Sequence, residues 1–364
     1  MGAAMGHEIS MPIFQAFPDL AGSAGHTLLA TLPTPLEIHR GSDLGLSVRH
    51  MMIKRDDKSG RAYGGNKVRK LEFLLGEALR VGAHGVVTFG VAGSNHALAT
   101  SIYARACGLE SHSMLTRQSN AAYVRRNLLA GFHAGAHLHP CASEEQAVEH
   151  ADILIREARQ RGRTVVTIPG GGSSPLGCLG FVNAGLELAE QLRRESLPVP
   201  DLIYLPLGTV GTAAGLLLGI RLAGLSSRMV AVRVVRSDIA RPERFRRLTE
   251  ATGQLLDSPD GLLLAALIGL SFRFSSAHLA FTSDVMTDFG YVKPKNVHFT
   301  KNSSPGDYLK EKMSSMNRAG ADIVKLACMV NSDKDMTRLL SLYDEQGRKI
   351  ILGMGKNGIL TRVA

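Results

Sequence analysis

Short apolar runs alternate with longer amphipathic segments from residue 51 to about residue 222 of the chain. Helices are predicted where apolar residues recur at spacings of three and four, as in Ala147, Ala151, Leu154 and Ala158. Strands are predicted at residues 85–89, 165–168, 202–205 and 229–235. This alternation is typical of repeated strand–helix–strand units, so the sequence predicts an α/β fold with a parallel sheet.

A second series of the same kind begins after a stretch in which the pattern is weak, from residue 237 to residue 264. It consists of a predicted helix at 307–318, a strand at 322–328, a helix at 333–343 and a strand at 349–354. A length of 364 residues also favours two cores over one. We therefore predict two domains, residues 1–265 and 266–364.

The composition narrows the class of protein. A hydrophobic content of 45% with 20% charged residues is typical of a folded globular chain. The net charge of +10 is dispersed, so we expect a surface that attracts small anions and no nucleic-acid partner. The apolar run 261–270 is shorter than the roughly 20 residues that cross a bilayer, so no membrane partner is expected. The absence of a signal-like N-terminus and of C-x-x-C pairs favours a cytoplasmic protein without a metal site.

Three segments that come before predicted helices carry the candidate chemistry. Lys67 follows two glycines in segment 64–67 (GGNK), where the backbone can approach a ligand closely. Segment 92–96 (AGSNH) precedes a helix whose free N–H groups would bind a carboxylate, although Ser94 or Asn95 is more commonly a simple helix cap. Segment 207–215 (LGTVGTAAG) is a glycine-rich loop that can surround a single phosphate.

In this order the three segments resemble the D-cysteine desulfhydrase and 1-aminocyclopropane-1-carboxylate deaminase family of pyridoxal-phosphate enzymes. The resemblance covers about residues 30–235 and includes segments 33–36 (PTPL), 53–57 (IKRDD), 64–72 (GGNKVRKLE) and 171–173 (GGS). It implies the two-subdomain, parallel-sheet fold of the tryptophan-synthase β-like enzymes. It also implies pyridoxal 5'-phosphate as the cofactor and a small amino acid as the substrate, and we further expect a homodimer.

The resemblance also implies a role for each candidate residue. Lys67 would bind the cofactor covalently and later move a proton, with Ser94 as a second catalytic group. Asn95 would donate a hydrogen bond to the cofactor's 3-oxygen, and Ser94, Asn95 and His96 would contact the substrate. His96 is more similar to the desulfhydrase branch than to the deaminase branch. The phosphate would lie against Gly208, Thr209, Val210, Gly211 and Thr212.

The family pattern ends early in this chain. Family members continue beyond the glycine-rich loop with a Gly-Tyr-Gly stretch, a Leu-Asp-Pro-Val-Tyr segment and a late Thr-Gly-Gly turn, none of which is present. We therefore predict that the pyridoxal-phosphate fold is incomplete at its C-terminal side.

The C-terminal part resembles a different family. Segments 320–329 (GADIVKLACM) and 353–358 (GMGKNG) are similar to the end of type I 3-dehydroquinate dehydratase, a (β/α)8 barrel. By that resemblance Lys325 would form an imine with a ketone, His298 would move a proton and Arg362 would hold a carboxylate; His298 precedes Lys325 by 27 positions (325 − 298). The similarity covers only about residues 290–364, and a partial barrel leaves sheet edges open, so a working dehydratase is not expected.

The function expected from the whole sequence is that of a pyridoxal-phosphate-dependent lyase or deaminase. D-cysteine desulfhydration to pyruvate, sulfide and ammonia is the preferred reaction. One alternative is a catalytically inactive fusion that retains cofactor binding. A third, less favoured interpretation is residual dehydroquinate dehydratase activity at Lys325.

Overall fold

The computed structural model describes residues 11–44 and 49–256, together with three strands, β9 (Leu279–Phe281), β10 (Val324–Met329) and β11 (Lys349–Met354). The chain divides into two compact units, one of residues 1–36 and 54–279 and the other of residues 37–53 and 280–364. The predicted domain boundary near residue 265 lies outside the described residues and stays a prediction.

The first unit contains a four-stranded parallel sheet. Its strands are β3 (Gly85–Val91), β4 (Glu110–Thr116), β5 (His137–Cys141) and β6 (Val165–Ile168), in the order β5-β4-β3-β6. A second parallel pair consists of β7 (Leu202–Leu207) and β8 (Arg228–Arg233). The predicted strands therefore form, and they pair in parallel as the alternating pattern indicates.

Helices connect and cover these strands. They are α1 (Pro12–Ala16), α2 (Leu20–Ser23), α3 (Lys67–Arg80), α4 (Asn95–Ala106), α5 (Ala122–His133), α6 (Glu144–Gln160), α7 (Pro175–Arg194), α8 (Gly211–Leu222) and α9 (Pro242–Leu255). Short 3-10 segments lie at Gly41–Leu44, Asp56–Lys58 and Gly170–Gly172. None of the helices in the described part of the chain has the length and apolar character needed to cross a membrane.

Helix α9 lies in the stretch where the sequence pattern was weak. Its buried residues are Phe245, Thr249, Thr252 and Gly253, of which only phenylalanine is a large apolar side chain. Arginine and glutamate occupy most of its exposed positions. The helix is amphipathic but strongly polar overall, and few large apolar residues mark its buried face, so the sequence analysis did not predict it.

Helix α3 is the central helix of this unit. Val68, Leu71, Leu75 and Ala78 are fully buried along one face and belong to a core that also includes residues of β3 and α4. Helix α7 passes close to α3 at Gly180, where an added Cβ would lie 2.1 Å from the carbonyl oxygen of Arg69. Only glycine permits this approach, so the sequence of α7 fixes where it crosses α3.

A buried ionic cluster holds the start of α3. The guanidinium of Arg69 is fully buried and donates hydrogen bonds of 2.9 Å to Asp56 Oδ1, to both carboxylate oxygens of Glu187 and to Thr34 Oγ1. Lys54 Nζ donates to the same carboxylate of Glu187 and, at 2.6 Å, to the Thr34 carbonyl oxygen. Although burial disfavours its charged form, Arg69 and Lys54 lower the pKa of Glu187. The cluster thereby joins four segments that are far apart in the sequence.

Described by itself, the second unit contains two pairs of strands. Strands β1 (Leu36–Arg40) and β2 (His50–Lys54) pair with each other. Strands β10 and β11 pair in parallel, with Lys325 opposite Ile350 in the register. The two strands predicted near the C-terminus are therefore present, and they have the parallel pairing that a βα series requires.

The ionic cluster yields a prediction for stability. Glu187→Ala leaves the fully buried Arg69 and the partly buried Lys54 without their shared carboxylate, so we expect the free energy of unfolding to fall by about 3–5 kcal/mol. Urea unfolding measures the change. The matched control is Glu157→Ala, which removes an exposed pair with Arg161 and should change the free energy of unfolding by less than about 0.5 kcal/mol. Equal effects of the two substitutions would contradict the prediction.

Histidines cluster on neighbouring strands β4 and β5. The rings of His112 and His137 stack with centroids 4.7 Å apart, and His112 Nδ1 lies 3.2 Å from His139 Nε2. The pKa of His112 is lowered to about 4, mainly because the ring is buried and secondarily because of the charges of the nearby histidines. Protonation in this cluster therefore favours the unfolded chain, where a histidine has a pKa of about 6.5.

We expect this cluster to make the protein sensitive to mild acid. The unfolded state gains its proton on His112 below about pH 6.5 and the folded state only near pH 4, so the free energy of unfolding falls between these values. From pH 8 to pH 5 the wild type should lose about 1–2 kcal/mol more than His112→Gln. Denaturant unfolding at both pH values measures the difference. Parallel losses in both proteins would exclude His112 as the cause.

Candidate active site

Lys67 lies at the first position of α3, directly after a turn in which Gly65 has a φ of 110°. Its Nζ donates a 2.9 Å hydrogen bond to Asn66 Oδ1, and Asn66 Nδ2 donates at 3.1 Å to Thr212 Oγ1. Burial lowers the pKa of Lys67 to about 8. The lysine is therefore held against the glycine-rich loop and is partly deprotonated near neutral pH.

The glycine-rich loop connects β7 with α8 and presents the N-terminal N–H groups of that helix. Val210 has a φ of 64°, in the left-handed region, and its side chain is buried. Gly211 lies so close to its neighbours that an added Cβ would be 2.6 Å from Ser173 Oγ and 3.0 Å from Lys70 Nζ. The loop therefore packs tightly against Ser173 and Lys70, and it leads into the N-terminus of α8, the helix end that favours an anion.

Lys70 is a second lysine of this site, one helical turn after Lys67, and it is fully buried. Only 1% of the residue is exposed, and its Nζ donates to the Gly171 carbonyl oxygen at 3.1 Å and to Ser173 Oγ at 3.4 Å. Burial, and then the positive charge of Lys67, lower the pKa of Lys70 to about 7. Within residues 11–44 and 49–256, no carboxylate pairs with either lysine. Both ammonium groups therefore favour an anion between them and the loop.

Hydroxyl groups complete the surroundings of the loop. Ser173 Oγ lies 2.7 Å from Thr209 Oγ1 and accepts a 3.2 Å hydrogen bond from the N–H of Gly211. An open pocket lies in front of the loop. It is lined by Asn66, Lys67, Lys70, Pro206, Leu207, Gly208, Thr209, Val210, Gly211, Thr212 and Ala213. The five predicted loop residues and Lys67 thus share one pocket.

The turn at residues 92–96 precedes α4. Ser94 is the N-cap of α4, and its Oγ accepts a 3.2 Å hydrogen bond from the N–H of Ala97. The cap role that the sequence left open is therefore present, and a role for Ser94 in catalysis stays a prediction. The N–H of Gly93 is already bonded to Gln118 Oε1 at 2.7 Å.

Asn95 is exposed at the start of α4, while its amide oxygen is held by two donors. Asn127 Nδ2 donates to Asn95 Oδ1 at 2.8 Å, and the Tyr63 hydroxyl donates to the same oxygen at 3.0 Å. These contacts leave the NH₂ group of Asn95 as its available group.

His96 is buried, with 4% of the residue exposed. Its Nε2 lies 3.0 Å from Thr88 Oγ1, and that hydroxyl donates at 2.9 Å to the Ile168 carbonyl oxygen. Burial, followed by the charges of Lys67 and Lys70, lowers the pKa of His96 to about 3. The ring is therefore neutral and anchors α4 to the sheet, and its predicted contact with substrate stays a prediction.

The candidates in the C-terminal part are not brought into this site by any described contact. Lys325 lies on β10, for which the backbone alone is described. His298 and Arg362 lie outside the described residues.

The sequence did not single out Lys70, Ser173, Tyr63 or Asn127 as site residues. Lys70 had a local signal, because it follows Lys67 by three positions and shares its side of α3. Ser173 lies in segment 171–173, which is part of the family resemblance, but neither it nor Asn127 was given a role, since their partners in the site lie more than thirty positions away in the chain.

Comparisons with known proteins agree with the composite character of the chain. A model of pyridoxal-phosphate-dependent enzymes matches residues 27–269, and a model of type I 3-dehydroquinase matches residues 295–364. The two matches do not overlap, which confirms the prediction that segments similar to two families are joined in one chain.

Individual relatives belong to the first of these families. Nocardicin C-9' epimerase from Nocardia uniformis is 41% identical over 196 residues, which are 53% of this chain and 59% of the epimerase. D-cysteine desulfhydrase from Serratia proteamaculans is 37% identical over 246 residues, 65% of this chain and 70% of the relative. A bifunctional D-cysteine desulfhydrase/1-aminocyclopropane-1-carboxylate deaminase from Arabidopsis thaliana is 37% identical over 221 residues, 57% and 54% of the respective chains. The chain thus spans about three fifths of the length of such relatives.

The fold has a counterpart among solved structures. The crystal structure of an ACC deaminase homologue superimposes with a TM-score of 0.61 at 24% identity, covering 97% of this chain and 99% of that chain. Together with the family match, this likeness confirms the predicted α/β class of the tryptophan-synthase β-like enzymes.

Lys70 provides a test of the anion site. In Lys70→Met a buried cation is replaced by an apolar side chain of similar length, so a bound phosphate loses one charge-assisted hydrogen bond. We expect affinity for pyridoxal phosphate to fall by roughly 10- to 100-fold, as measured by fluorescence titration. Lys58→Met removes an exposed charge and should leave the affinity unchanged. Equal affinities of Lys70→Met and the wild type would contradict the assignment.

Proposed function

Because the chain belongs to the family of pyridoxal-phosphate-dependent enzymes, we propose that it is a lyase or deaminase of small amino acids, with D-cysteine as its substrate. The products would be pyruvate, sulfide and ammonia. The observation that carries this proposal is the pair of lysines beside the glycine-rich loop, Lys67 partly buried and Lys70 fully buried.

The residues of the pocket fit the cofactor's phosphate. Lys67 is partly buried and Lys70 fully buried, neither has a carboxylate partner in the described part of the chain, and desolvation lowers the pKa of each lysine. A phosphate dianion in front of the loop would supply the missing negative charge, and the N–H groups that begin α8 would donate to its oxygens. A neutral ligand would leave both ammonium groups uncompensated.

Each part of the cofactor has a candidate partner in the chain. Lys67 would hold it covalently through Nζ, and Lys70 with residues 208–212 would hold its phosphate. Asn95 would donate from its NH₂ group to the 3-oxygen. When bound, the cofactor supplies an electron sink that makes the α-proton of an amino acid acidic.

Side chains of the protein would accept the α-proton of the substrate and hold the substrate in place. A pKa of about 8 gives Lys67 a substantial neutral fraction near neutral pH, so its Nζ can accept the α-proton and return it elsewhere. The substrate carboxylate would lie at the N-terminus of α4, near Ser94, where the helix dipole favours an anion. His96 is neutral and buried behind this turn, so it would fix the position of α4 without competing for the proton.

The choice of D-cysteine rests on the relatives. Two of those described above are desulfhydrases of D-cysteine by name, at 37% identity each. The epimerase, at 41% identity, favours a second candidate reaction in which the α-proton is removed and returned on the opposite face. Removal of the α-proton is common to both reactions, so Lys67 has the same first task in each.

Lys67 gives the decisive test of the proposal. Wild-type protein supplied with pyridoxal phosphate should be yellow, and borohydride should fix the cofactor to Lys67 in a peptide that mass spectrometry identifies. Lys67→Ala should lose the visible absorbance and reduce turnover by at least about 1,000-fold, since it removes both the covalent link and the proton acceptor. Lys58→Ala is the matched control and should retain both properties. A colourless wild type that takes up no cofactor would refute the proposal.

Product analysis separates the candidate reactions. Release of pyruvate and sulfide from D-cysteine supports desulfhydration. Exchange of the α-proton with deuterium from solvent, with inversion and no pyruvate, would support epimerisation. Covalent cofactor without either product would identify a cofactor-binding remnant.

A further inference from the structure

The orientation of the Asn95 amide is determined by groups outside the turn that carries it. Asn127 lies on α5 and is 5% exposed, whereas Tyr63 lies in the loop before α3. Both donate to the same atom, Asn95 Oδ1, at 2.8 Å and 3.0 Å respectively. Two donors at one carbonyl oxygen occupy both of its lone pairs.

A backbone group fixes the first member of this chain of hydrogen bonds. The carbonyl oxygen of Gly93 can only accept, and Asn127 Nδ2 donates to it at 2.9 Å. The NH₂ group of Asn127 must therefore face the turn, and its second hydrogen is directed to Asn95. Asn95 in turn must present its oxygen to Asn127, because two NH₂ groups would repel each other.

Tyr63, in the loop before α3, adds a second constraint on the orientation of the Asn95 amide. Its carbonyl oxygen accepts a 2.7 Å hydrogen bond from the hydroxyl of Tyr103, a buried residue of α4. The loop that carries Tyr63 is thus tied to the helix that begins with Asn95. The phenol hydroxyl then donates to an oxygen whose orientation Asn127 has already selected.

We propose that Asn127 and Tyr63 are positioning residues that hold the Asn95 amide with its NH₂ group toward the cofactor's 3-oxygen. This inference rests on the proposed function, in which Asn95 donates to that oxygen. An amide free to rotate would present its oxygen in part of the molecules and repel the phenolate. The two donors exclude that orientation in the described structure.

The positioning has an electronic consequence for the bound cofactor. A hydrogen bond donated to an oxygen anion stabilises the deprotonated form and lowers the pKa of the group. In protein loaded with the cofactor, donation from Asn95 to the 3-oxygen would therefore lower the pH at which the bound cofactor loses its proton. Loss of this donation raises the pH at which the visible absorbance of the bound cofactor titrates.

Two substitutions and one control test the inference. Asn127→Asp preserves shape but replaces the NH₂ donor by an acceptor, which drives the Asn95 amide into the opposite orientation. Tyr63→Phe removes the hydroxyl alone and keeps the ring. Tyr204→Phe makes the same chemical change at an exposed tyrosine of β7 and is the matched control.

The measurement is the pH titration of the visible absorbance in proteins loaded with pyridoxal phosphate, with circular dichroism as the check of folding. The titration midpoint should rise by about one pH unit in Asn127→Asp and by less in Tyr63→Phe, where Asn127 still orients the amide, and Tyr204→Phe should match the wild type. Folded, loaded variants with the wild-type midpoint would overturn the inference. A shift in Asn127→Asp alone would overturn the role of Tyr63.

Tyr63→Phe keeps the test decisive if Asn127→Asp does not fold, because it alters one half-buried hydroxyl. A wild type without visible absorbance refutes the proposed function itself. A wild type with the absorbance and variants without the shift refutes the positioning role alone.

Discussion

The fold of the first unit depends on a charge that has no access to water. Arg69 is fully buried, and its guanidinium bridges Asp56, Glu187 and the hydroxyl of Thr34. Removing an ion from water is so unfavourable that these partners must converge before α3 can pack, and the cluster therefore fixes the position of the helix start. Lys67 and Lys70 flank Arg69 on the same helix, so the placement of both site lysines follows from the placement of an ion that does no chemistry. The motif residues at 33–36, 53–57 and 64–72 are close in space for this reason.

The pattern of apolar residues was sufficient to predict the strands whose side chains are mostly apolar. It was insufficient to predict strands that contain buried polar side chains. β3, β6, β7 and β8 were predicted because they contain runs of valine, isoleucine and leucine. β4 and β5 were not predicted, since serine and histidine interrupt their apolar positions and the histidines pack on one another instead. Periodicity records which positions are apolar, and it carries no information on polar side chains that are buried by mutual contact.

The candidate site also contains residues that the sequence predicts and residues that it does not. Lys67, Asn95 and residues 208–212 were predicted because glycines and helix caps are local signals that a short segment contains in full. Ser173 and Asn127 contact partners 36 and 32 positions away, so their roles could not be assigned from a local pattern, although Ser173 lies in the segment 171–173 of the resemblance. The match to a second family after residue 295 shows, in addition, that one chain holds segments similar to two families. The glycine-rich loop, Lys67 and Asn95 all lie within one compact unit of the first of these segments.

The strained backbone of Val210 sets thermal stability against ligand recognition. A β-branched residue with a φ of 64° is strained by about 1–3 kcal/mol, and the folded protein retains it because the surrounding packing leaves no other conformation. A loop held in this way has its N–H groups aligned before any anion arrives, so binding does not have to order it. Selection for heat resistance alone would favour glycine at this position and would yield a more relaxed loop that must be ordered each time the phosphate binds. Heat tolerance would thereby rise while the resting protein became less ready for its ligand.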